Sequence, residues 1–234
     1  MITVSNKSCE GDAVNFYISD LHFGHVNIIQ MCNRPFESID AMNECLIENW
    51  RSAVAPEDTV YVLGDVIYRN SRSPAFYLDP LPGKKHLVLG NHDTKWMRHC
   101  DPSDFFESIS HMKFVNEGDR QLTLCHYPMM SWPGSNRQGH MVFGHIHNNT
   151  DGAFWPLIAC SSLMLNACVE VNGYRPVTFE QLKTNNTMHK ARVLQEHFQA
   201  VKDSDDATLY QIAEKYPEVP DLLDMIMECK NKPS

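Results

Sequence analysis

The sequence has little of what would place the chain in a membrane or a secretory pathway. No run of about eighteen apolar residues occurs, so no segment has the composition of a membrane-spanning helix. The first residues are polar and lack the apolar stretch of a signal peptide. The eight cysteines are scattered without a Cys-x-x-Cys pair, which is typical of reduced thiols. We therefore expect a cytoplasmic protein without a membrane segment.

Positive charge is also scarce. The chain has 20 Lys and Arg against 29 Asp and Glu, a formal net charge of −9. A protein that wraps long nucleic acid usually presents a basic face that displaces counterions, so this balance argues against such a partner. Hydrophobic residues make up 43% of the chain, enough for a packed core. The 234 residues permit one domain with a small appendage.

Five short apolar runs have the length and composition of β-strands, and helical patterns separate several of them. The runs span residues 14–19, 59–64, 86–90, 121–125 and 140–144. Met42, Leu46 and Trp50 predict an amphipathic helix over residues 40–54, which covers a sheet. Residues 114–124 predict a hairpin with its turn at 116–119. Strands that alternate with helices predict an α/β domain, which we assign to residues 1–184.

The chain changes character after this domain. A short helix is predicted over residues 178–183, and Asn185 and Asn186 are expected to break it. Residues 185–234 are predicted to form a C-terminal helical tail, with Leu209, Ile212 and Tyr216 on one face. We expect this tail to pack on the core. The alternative is a contact surface for a homo-oligomer or another partner.

Five motifs rich in metal-ligating residue types occur in order, each at or just beyond the end of a predicted strand. They are Asp20-Leu-His22, Gly64-Asp65, Gly90-Asn91-His92-Asp93, His126 and Gly144-His145-Ile-His147. Carboxylate, imidazole and amide oxygen bind borderline divalent metals, and loops past strand ends form ligand sites in α/β sheets. Residues two apart in extended backbone point to the same side, so each paired motif can face one site. Two divalent cations would outweigh the carboxylates and leave a positive cleft that suits a phosphate.

As an ordered set, these motifs resemble those of the calcineurin-like metallophosphoesterase family. The resemblance covers about residues 16–176 and is closest to small, stand-alone members. It implies an α/β fold, a sandwich of two β-sheets flanked by helices, to which this chain adds its C-terminal helical tail. It also implies two divalent metal ions, chosen from Mn, Fe, Zn and Ni, with Mn favoured.

The resemblance further implies a role for each motif residue. The expected ligands are, for the first metal, Asp20, His22 and His147 and, for the second, Asn91, His126 and His145. Asp65 is expected to bridge both metals. His92, which follows a ligand without being one, is expected to act as the acid toward the leaving oxygen. His25 and Arg34 are weaker candidates for contact with a phosphate oxygen.

Two departures from the superfamily's phosphoprotein phosphatases bear on the substrate. Those enzymes carry Gly-Asp-x-x-Asp-Arg-Gly, in which the second Asp orients the acid histidine, and here Tyr68 stands at that position. They also usually have Arg before Gly-Asn-His, where this chain has Leu89. A phosphoprotein substrate is therefore disfavoured. The group that orients His92 is left open, with Asp93 as a candidate.

The predicted activity is hydrolysis of a phosphate ester by a hydroxide that bridges two metals. A small phosphodiester or nucleotide is the favoured substrate. One alternative is a phosphomonoesterase of the same family. The other is a metal-binding interaction protein that has lost catalysis, which would be expected to lose Asp65 or His92 first; both are present.

Overall fold

A computed structural model describes residues 13–68 and 72–203, together with Asp224 and Met227. Its first sheet has the strand order β4-β3-β2-β1-β9. These strands are β1 (Asn15–Ile18), β2 (Thr59–Val62), β3 (Lys84–Val88), β4 (Ser108–Ser110) and β9 (Val177–Thr178). Strands β1 to β4 are parallel, and β9 pairs antiparallel with β1. The parallel strands therefore end at one common edge.

The second sheet has the order β5-β6-β7-β8. Its strands are β5 (Met112–Glu117), β6 (Arg120–Cys125), β7 (His140–Phe143) and β8 (Met164–Asn166). Strands β5 and β6 form the predicted hairpin, in which Glu117 pairs with Arg120 across a two-residue turn. Strands β6, β7 and β8 are parallel. All five strands predicted from the sequence are confirmed.

Six α-helices accompany the sheets within the described residues. They are α1 (Ile28–Met31), α2 (Ile39–Ala53), α3 (Pro74–Leu78), α4 (Asp93–Trp96), α5 (Trp155–Cys160) and α6 (Phe179–Asp203). Helix α2 confirms the predicted amphipathic helix, with Met42, Leu46 and Trp50 all buried. The N-cap of this helix is Ser38, whose hydroxyl accepts a hydrogen bond of 3.1 Å from the backbone N–H of Ala41. None of the described helices combines the length and apolar character that a bilayer crossing requires.

The two sheets and their helices stack in layers, as predicted. Alternate residues of β1 face opposite sides: Phe16 and Ile18 join the core that packs against α2. Tyr17 faces the other way, into a second core shared with Leu124 and Val142 of the second sheet. A third core lies on the outer face of the second sheet, beneath α5 and α6. The predicted two-sheet sandwich is confirmed.

Helix α6 differs from the sequence prediction. It runs unbroken from Phe179 to Asp203, so the predicted break at Asn185 and Asn186 is wrong. Asn186 is buried, and its amide accepts from the N–H of Asn166 at 2.7 Å and donates to that residue's carbonyl at 2.9 Å. The side chain of Asn186 thus binds the end of β8 instead of ending the helix. The division of the chain at residue 184 stays a prediction, and Leu209, Ile212 and Tyr216 lie outside the described residues.

The two sheets meet at the edge where their parallel strands end. Ser19, just after β1, forms a parallel bridge with Cys168, just after β8. The N–H of Ser19 donates to the Ala167 carbonyl at 2.9 Å, and the Ser19 carbonyl accepts from the N–H of Val169 at 3.2 Å. This junction brings the loops of both sheets into one place. The six cysteines that the structure describes are all free thiols.

Candidate metal centre

Most predicted ligands have an unusual backbone. Five of them have positive φ angles: Asp20 (58°), His22 (52°), Asp65 (53°), His145 (71°) and His147 (51°). Few residues other than glycine adopt this left-handed region, and those that do cluster at functional sites. The prediction that extended backbone directs Asp20 with His22, and His145 with His147, toward the site is therefore wrong. The loops curl after the strands, and the curl directs the side chains inward.

Three predicted ligands meet on one side of the site. His22 Nε2 lies 3.7 Å from Asp20 Oδ1, and His147 Nε2 lies 3.5 Å from the same oxygen. One ligand atom from each of the three residues lies within 4.8 Å of the others. Asp20 and His22 are buried, and His147 is mostly buried. We call this group the buried half of the site.

The remaining ligands gather on the other side of Asp65. Asp65 Oδ2 lies 3.6 Å from His22 Nε2 and 3.6 Å from His126 Nε2, so it stands between the two groups. Asn91 Oδ1 lies 3.1 Å from His126 Nε2. The His145 ring centroid is 5.2 Å from that of His126. We call Asn91, His126 and His145 the open half, because Asn91 and His145 are exposed.

The buried polar atoms fit divalent cations. Asp20 Oδ1 and His22 Nε2 are buried without a hydrogen-bond partner, which is costly for a group that no ligand satisfies. Burial, and then the charge of Asp20, raise the pKa of Asp65 to about 6. Two buried carboxylates that repel each other beside unpartnered imidazole nitrogen suit a cation, which offsets the repulsion and accepts the lone pairs.

The two oxygens of Asp20 are differently engaged. Oδ2 accepts from the Ser19 hydroxyl at 2.5 Å, the His145 N–H at 2.9 Å and the Cys168 thiol at 3.2 Å. These donors fix the carboxylate and leave Oδ1 facing the site. Glycine is required at position 144, since a Cβ there would overlap the Ser19 hydroxyl and Asp20 Oδ2.

Glu170 is a site residue that the sequence prediction missed. It is almost fully buried, and its Oε1 accepts from His147 Nδ1 at 2.9 Å. A carboxylate on the second nitrogen fixes the ring of a metal-ligating histidine and raises its basicity. Glu170 follows β8 by four residues, outside the five motifs, so no local pattern marked it. The bridge between Ser19 and Cys168 places the segment that carries Glu170 beside His147.

Arg34 was predicted to contact phosphate, and its position corrects that prediction. Its Nε and Nη2 donate to Glu170 Oε1 at 3.0 and 2.7 Å. The other donors go to the Asp20 carbonyl at 2.7 Å, the Leu21 carbonyl at 2.9 Å and Met42 Sδ at 3.4 Å. All five guanidinium N–H donors are thus engaged, and the group is 0% exposed. Arg34 supports the Asp20 loop and Glu170 from beneath the site.

His25 lies beside the buried half. Its Nδ1 is 3.4 Å from His22 Nδ1, and its ring stacks on Tyr68 with centroids 3.7 Å apart. Burial, and then the neighbouring His22, lower the pKa of His25 to about 4. The contact orients the His22 ring so that Nε2 faces the site. A direct contact of His25 with phosphate stays a prediction.

Asp93 was the candidate to orient His92, but it is bound elsewhere. Its carboxylate accepts from the N–H groups of Asp65, Val66 and Gly90 at 2.9, 2.9 and 2.7 Å, and from Trp96 Nε1 at 2.8 Å. Asp93 therefore holds the Asp65 loop. His92 is placed by its own N–H, which donates to Asp65 Oδ1 at 2.8 Å, and Lys95 Nζ lies 3.5 Å from His92 Nδ1.

Comparison with known proteins decides the family. The sequence model described as calcineurin-like phosphoesterase matches residues 16–157, more than half of the chain. The chain belongs to the calcineurin-like phosphoesterase family. It is accordingly a hydrolase that acts on phosphate ester bonds. Members of the family generally bind divalent metals, in agreement with the clustered ligands described above.

Two sequence relatives and one solved structure illustrate what this phosphoesterase is similar to. An uncharacterized protein of Methanocaldococcus jannaschii, MJ1445, is 34% identical over 70% of this chain and 86% of its own length. The Gene 66 protein of Mycobacterium phage L5 is 32% identical over 33% of this chain and 39% of its own length. A protein of unknown function from Aquifex aeolicus, AQ665, has a solved structure with a TM-score of 0.58. That structure is 27% identical and covers 74% of this chain and 99% of its own.

Two pockets of similar size lie beside the phosphoesterase's metal-competent cluster. The first, the Lys95 pocket, has a volume of about 830 Å³ and is lined by Tyr68, Arg72, Lys95, Trp96 and Arg98, among others. The second, the Tyr127 pocket, has a volume of about 840 Å³ and includes Met31, Tyr127, His145, His147 and Phe154 in its lining. The Lys95 pocket adjoins His92 through Lys95, and the Tyr127 pocket contains two predicted metal ligands.

Proposed function

We propose that this chain is a two-metal phosphodiesterase that hydrolyses a small diester or nucleotide. One observation carries the proposal: two metal-competent groups, Asp20 with His22 and His147 and Asp20 with Asp65 and His126, share Asp20, and two pockets open beside them. A phosphodiester carries two organic arms, one that leaves and one that stays. Two pockets of about equal volume accommodate two arms, whereas a phosphomonoester requires one.

In this proposal each half of the site holds one divalent cation, and Asp65 serves both. When bound, such a pair lowers the pKa of a water molecule and polarises the phosphoryl group. Asp20, with its Oδ2 engaged by three donors, presents Oδ1 to the first cation. His147 presents Nε2, because Glu170 occupies its Nδ1. His126 presents Nε2 likewise, because its Nδ1 lies 2.7 Å from the Leu63 carbonyl.

His92 supplies the proton that the leaving oxygen requires. The oxygen of a water molecule bonds to phosphorus, the ester P–O bond breaks, and His92 in its imidazolium form gives the proton on Nε2 to the departing oxygen. The proton that the water loses then restores the imidazolium. His92 Nε2 lies 3.9 Å from Asp65 Oδ2, which places its proton at the edge of the metal cluster.

The test is an activity screen on purified, metal-stripped protein reconstituted with Mn²⁺ or Zn²⁺. Bis-p-nitrophenyl phosphate, p-nitrophenyl phosphate, 2′,3′-cyclic nucleotides and short oligonucleotides serve as substrates. We expect turnover of diesters to exceed that of the monoester, and elemental analysis to find two metals per chain. Stripping should abolish turnover, and Mn²⁺ should restore it.

Asp119→Asn is the matched control for the loss of a carboxylate from the site, as in Asp65→Asn. Asp119 is exposed in the turn before β6, at the opposite end of that strand from His126. This variant should retain parent activity and metal content. Turnover by the metal-free protein, or a single metal at full activity, would contradict the two-metal proposal. A strong preference for the monoester would instead establish the phosphomonoesterase alternative.

A further inference from the structure

We propose that the Lys95 pocket binds a second anionic group, carried by the leaving arm of the substrate. This inference rests on the proposed phosphodiesterase function and narrows its substrate class. Three cationic side chains line the pocket, from Arg72, Lys95 and Arg98, with His99 beside them. No Asp or Glu is among the described residues that line it. The chain as a whole carries nine more acidic than basic residues, so this concentration of positive charge is local.

The charges of the pocket are incompletely balanced. Arg72 pairs with Asp40 at 3.2 Å, but both side chains are exposed and water screens the pair. Within the part of the chain that the structure describes, Lys95 and Arg98 have no carboxylate within ion-pair distance. Lysine and arginine that converge on a cleft without counter-charge raise its potential and attract an anion. Arginine adds a planar pair of donors that suits carboxylate and phosphate.

The Lys95 pocket lies beside His92, and this position assigns it to the leaving arm of the substrate. Lys95 reaches both His92, at 3.5 Å, and the Tyr68 ring, at 5.6 Å from its centroid. The Tyr68 ring packs edge-on against His92, with centroids 5.2 Å apart. A proton donor must lie beside the oxygen that it protonates. The arm attached to that oxygen therefore extends over Tyr68 and Lys95 into this pocket.

The Tyr127 pocket provides the contrast. Its described lining contains no Lys or Arg, and it includes Met31, Tyr127 and Phe154. Tyr127 and Met31 are exposed at 44% and 70%, so their apolar surfaces are available to a ligand. An uncharged, planar or apolar arm suits this surface. The two pockets thus distinguish the arms of a diester by charge.

Two synthetic phenyl phosphodiesters test the inference. In the first the leaving group is 4-carboxy-2-nitrophenol, and in the second it is the methyl ester of that phenol, so they differ in one anionic group. Arg98→Gln is the variant, and Arg51→Gln is the control. Arg51 is exposed at the C-terminal end of α2, which leads into the opposite end of β2 from Asp65.

We expect Arg98→Gln to lower the carboxylate-to-ester ratio of kcat/KM by about tenfold relative to the parent, as loss of one charge-assisted contact would. The intrinsic reactivities of the two phenols cancel in this comparison. Arg51→Gln should leave the ratio unchanged. Added salt should reduce the parent's ratio toward that of Arg98→Gln, because screening weakens the attraction. An unchanged ratio in Arg98→Gln, or an equal fall in Arg51→Gln, would overturn the inference.

A binding measurement separates this inference from the proposed function. The free phenol, 4-hydroxy-3-nitrobenzoate, is titrated calorimetrically into metal-free protein. We expect it to bind the parent and Arg51→Gln equally, and Arg98→Gln about tenfold more weakly. If neither diester is hydrolysed but this binding pattern holds, the phosphodiesterase proposal fails and the anion pocket stands. If the diesters are hydrolysed but the phenol binds all three proteins equally, the anion pocket is refuted and the activity stands.

Discussion

The two halves of the metal site are built differently. In the buried half His147 is oriented by a carboxylate, Glu170, which in turn binds the fully enclosed Arg34. In the open half His126 is oriented by a neutral carbonyl, that of Leu63. Asp20 and His22 are buried, whereas Asn91 and His145 are exposed. One half thus has a histidine oriented by a buried ion pair, whereas two of the three ligands of the other half are exposed.

Under the proposed two-metal function, this difference predicts how the tasks of binding and catalysis are divided. A carboxylate that hydrogen-bonds a ligating histidine strengthens its hold on a metal. The buried half therefore suits a cation that stays bound. The open half suits a cation that meets the phosphate. Asp65, which stands between His22 and His126, couples the two.

Asp65→Asn should have the largest effect, because it alters both halves together. The change removes one negative charge between two cations, so their mutual repulsion is less offset. We expect kcat to fall by more than about 10⁴-fold, beyond the range of general acid catalysis. The loss should exceed that of any single histidine ligand. Activity assays and elemental analysis on matched Ala variants of the histidines provide the comparison. A histidine variant with a greater loss would show that one half dominates.

His92→Ala should separate chemistry from metal binding. The variant should keep both metals and much of its activity on p-nitrophenyl esters, because p-nitrophenolate departs without a proton. On a diester with an alkyl leaving group, activity should fall by about 10²- to 10⁴-fold. The measurement is the variant-to-parent ratio of kcat/KM on the two substrates. Equal losses with both metals present would mean that His92 binds phosphate, and loss of a metal would make it a ligand.

Glu170→Gln sharpens the comparison, because it acts on the buried half alone. We expect the affinity for one metal to fall by about 10- to 100-fold while the other metal is held as before. Competition with a chromogenic chelator measures both affinities. The variant leaves the buried Arg34 without its charge partner, so thermal unfolding is recorded alongside. Glu180→Gln, which removes an exposed carboxylate from α6, is the control. Equal weakening of both metals would refute the division into halves.

Asn186→Ala should have the smallest effect on activity. It removes two hydrogen bonds to Asn166, whose own amide donates to the His147 carbonyl at 2.7 Å. We expect unfolding to become easier by about 1–3 kcal/mol and kcat to change only a few-fold. Thr187→Ala, at an exposed neighbouring position, is the control. If Asn186→Ala were as stable as the parent, the contact between α6 and the end of β8 would not contribute to the stability of the domain.

Much of the fold followed from local sequence. The strands, helix α2 and the hairpin were predictable because each rests on the periodicity and turn residues of its own segment. The ligand types and their order were also readable, since each motif directly follows a strand and parallel strands end together. What failed was the break at Asn185 and Asn186. Two adjacent asparagines in a helical pattern predict the end of a helix, but Asn186 instead binds the last residue of β8 and the helix continues.

The sequence by itself thus determined the layered α/β fold, the phosphoesterase family and the residue types at the site. The tertiary structure decided how those residues are held. Glu170 accepts a hydrogen bond from His147, and Arg34 binds Glu170 instead of the predicted phosphate. Both contacts form because Ser19 bridges to Cys168, which is distant in the sequence. The left-handed turns at Asp20 and Asp65, and the commitment of Asp93 to the Asp65 loop, likewise depend on neighbouring strands. Contacts between distant segments leave no local periodicity, and only the packed structure reveals them.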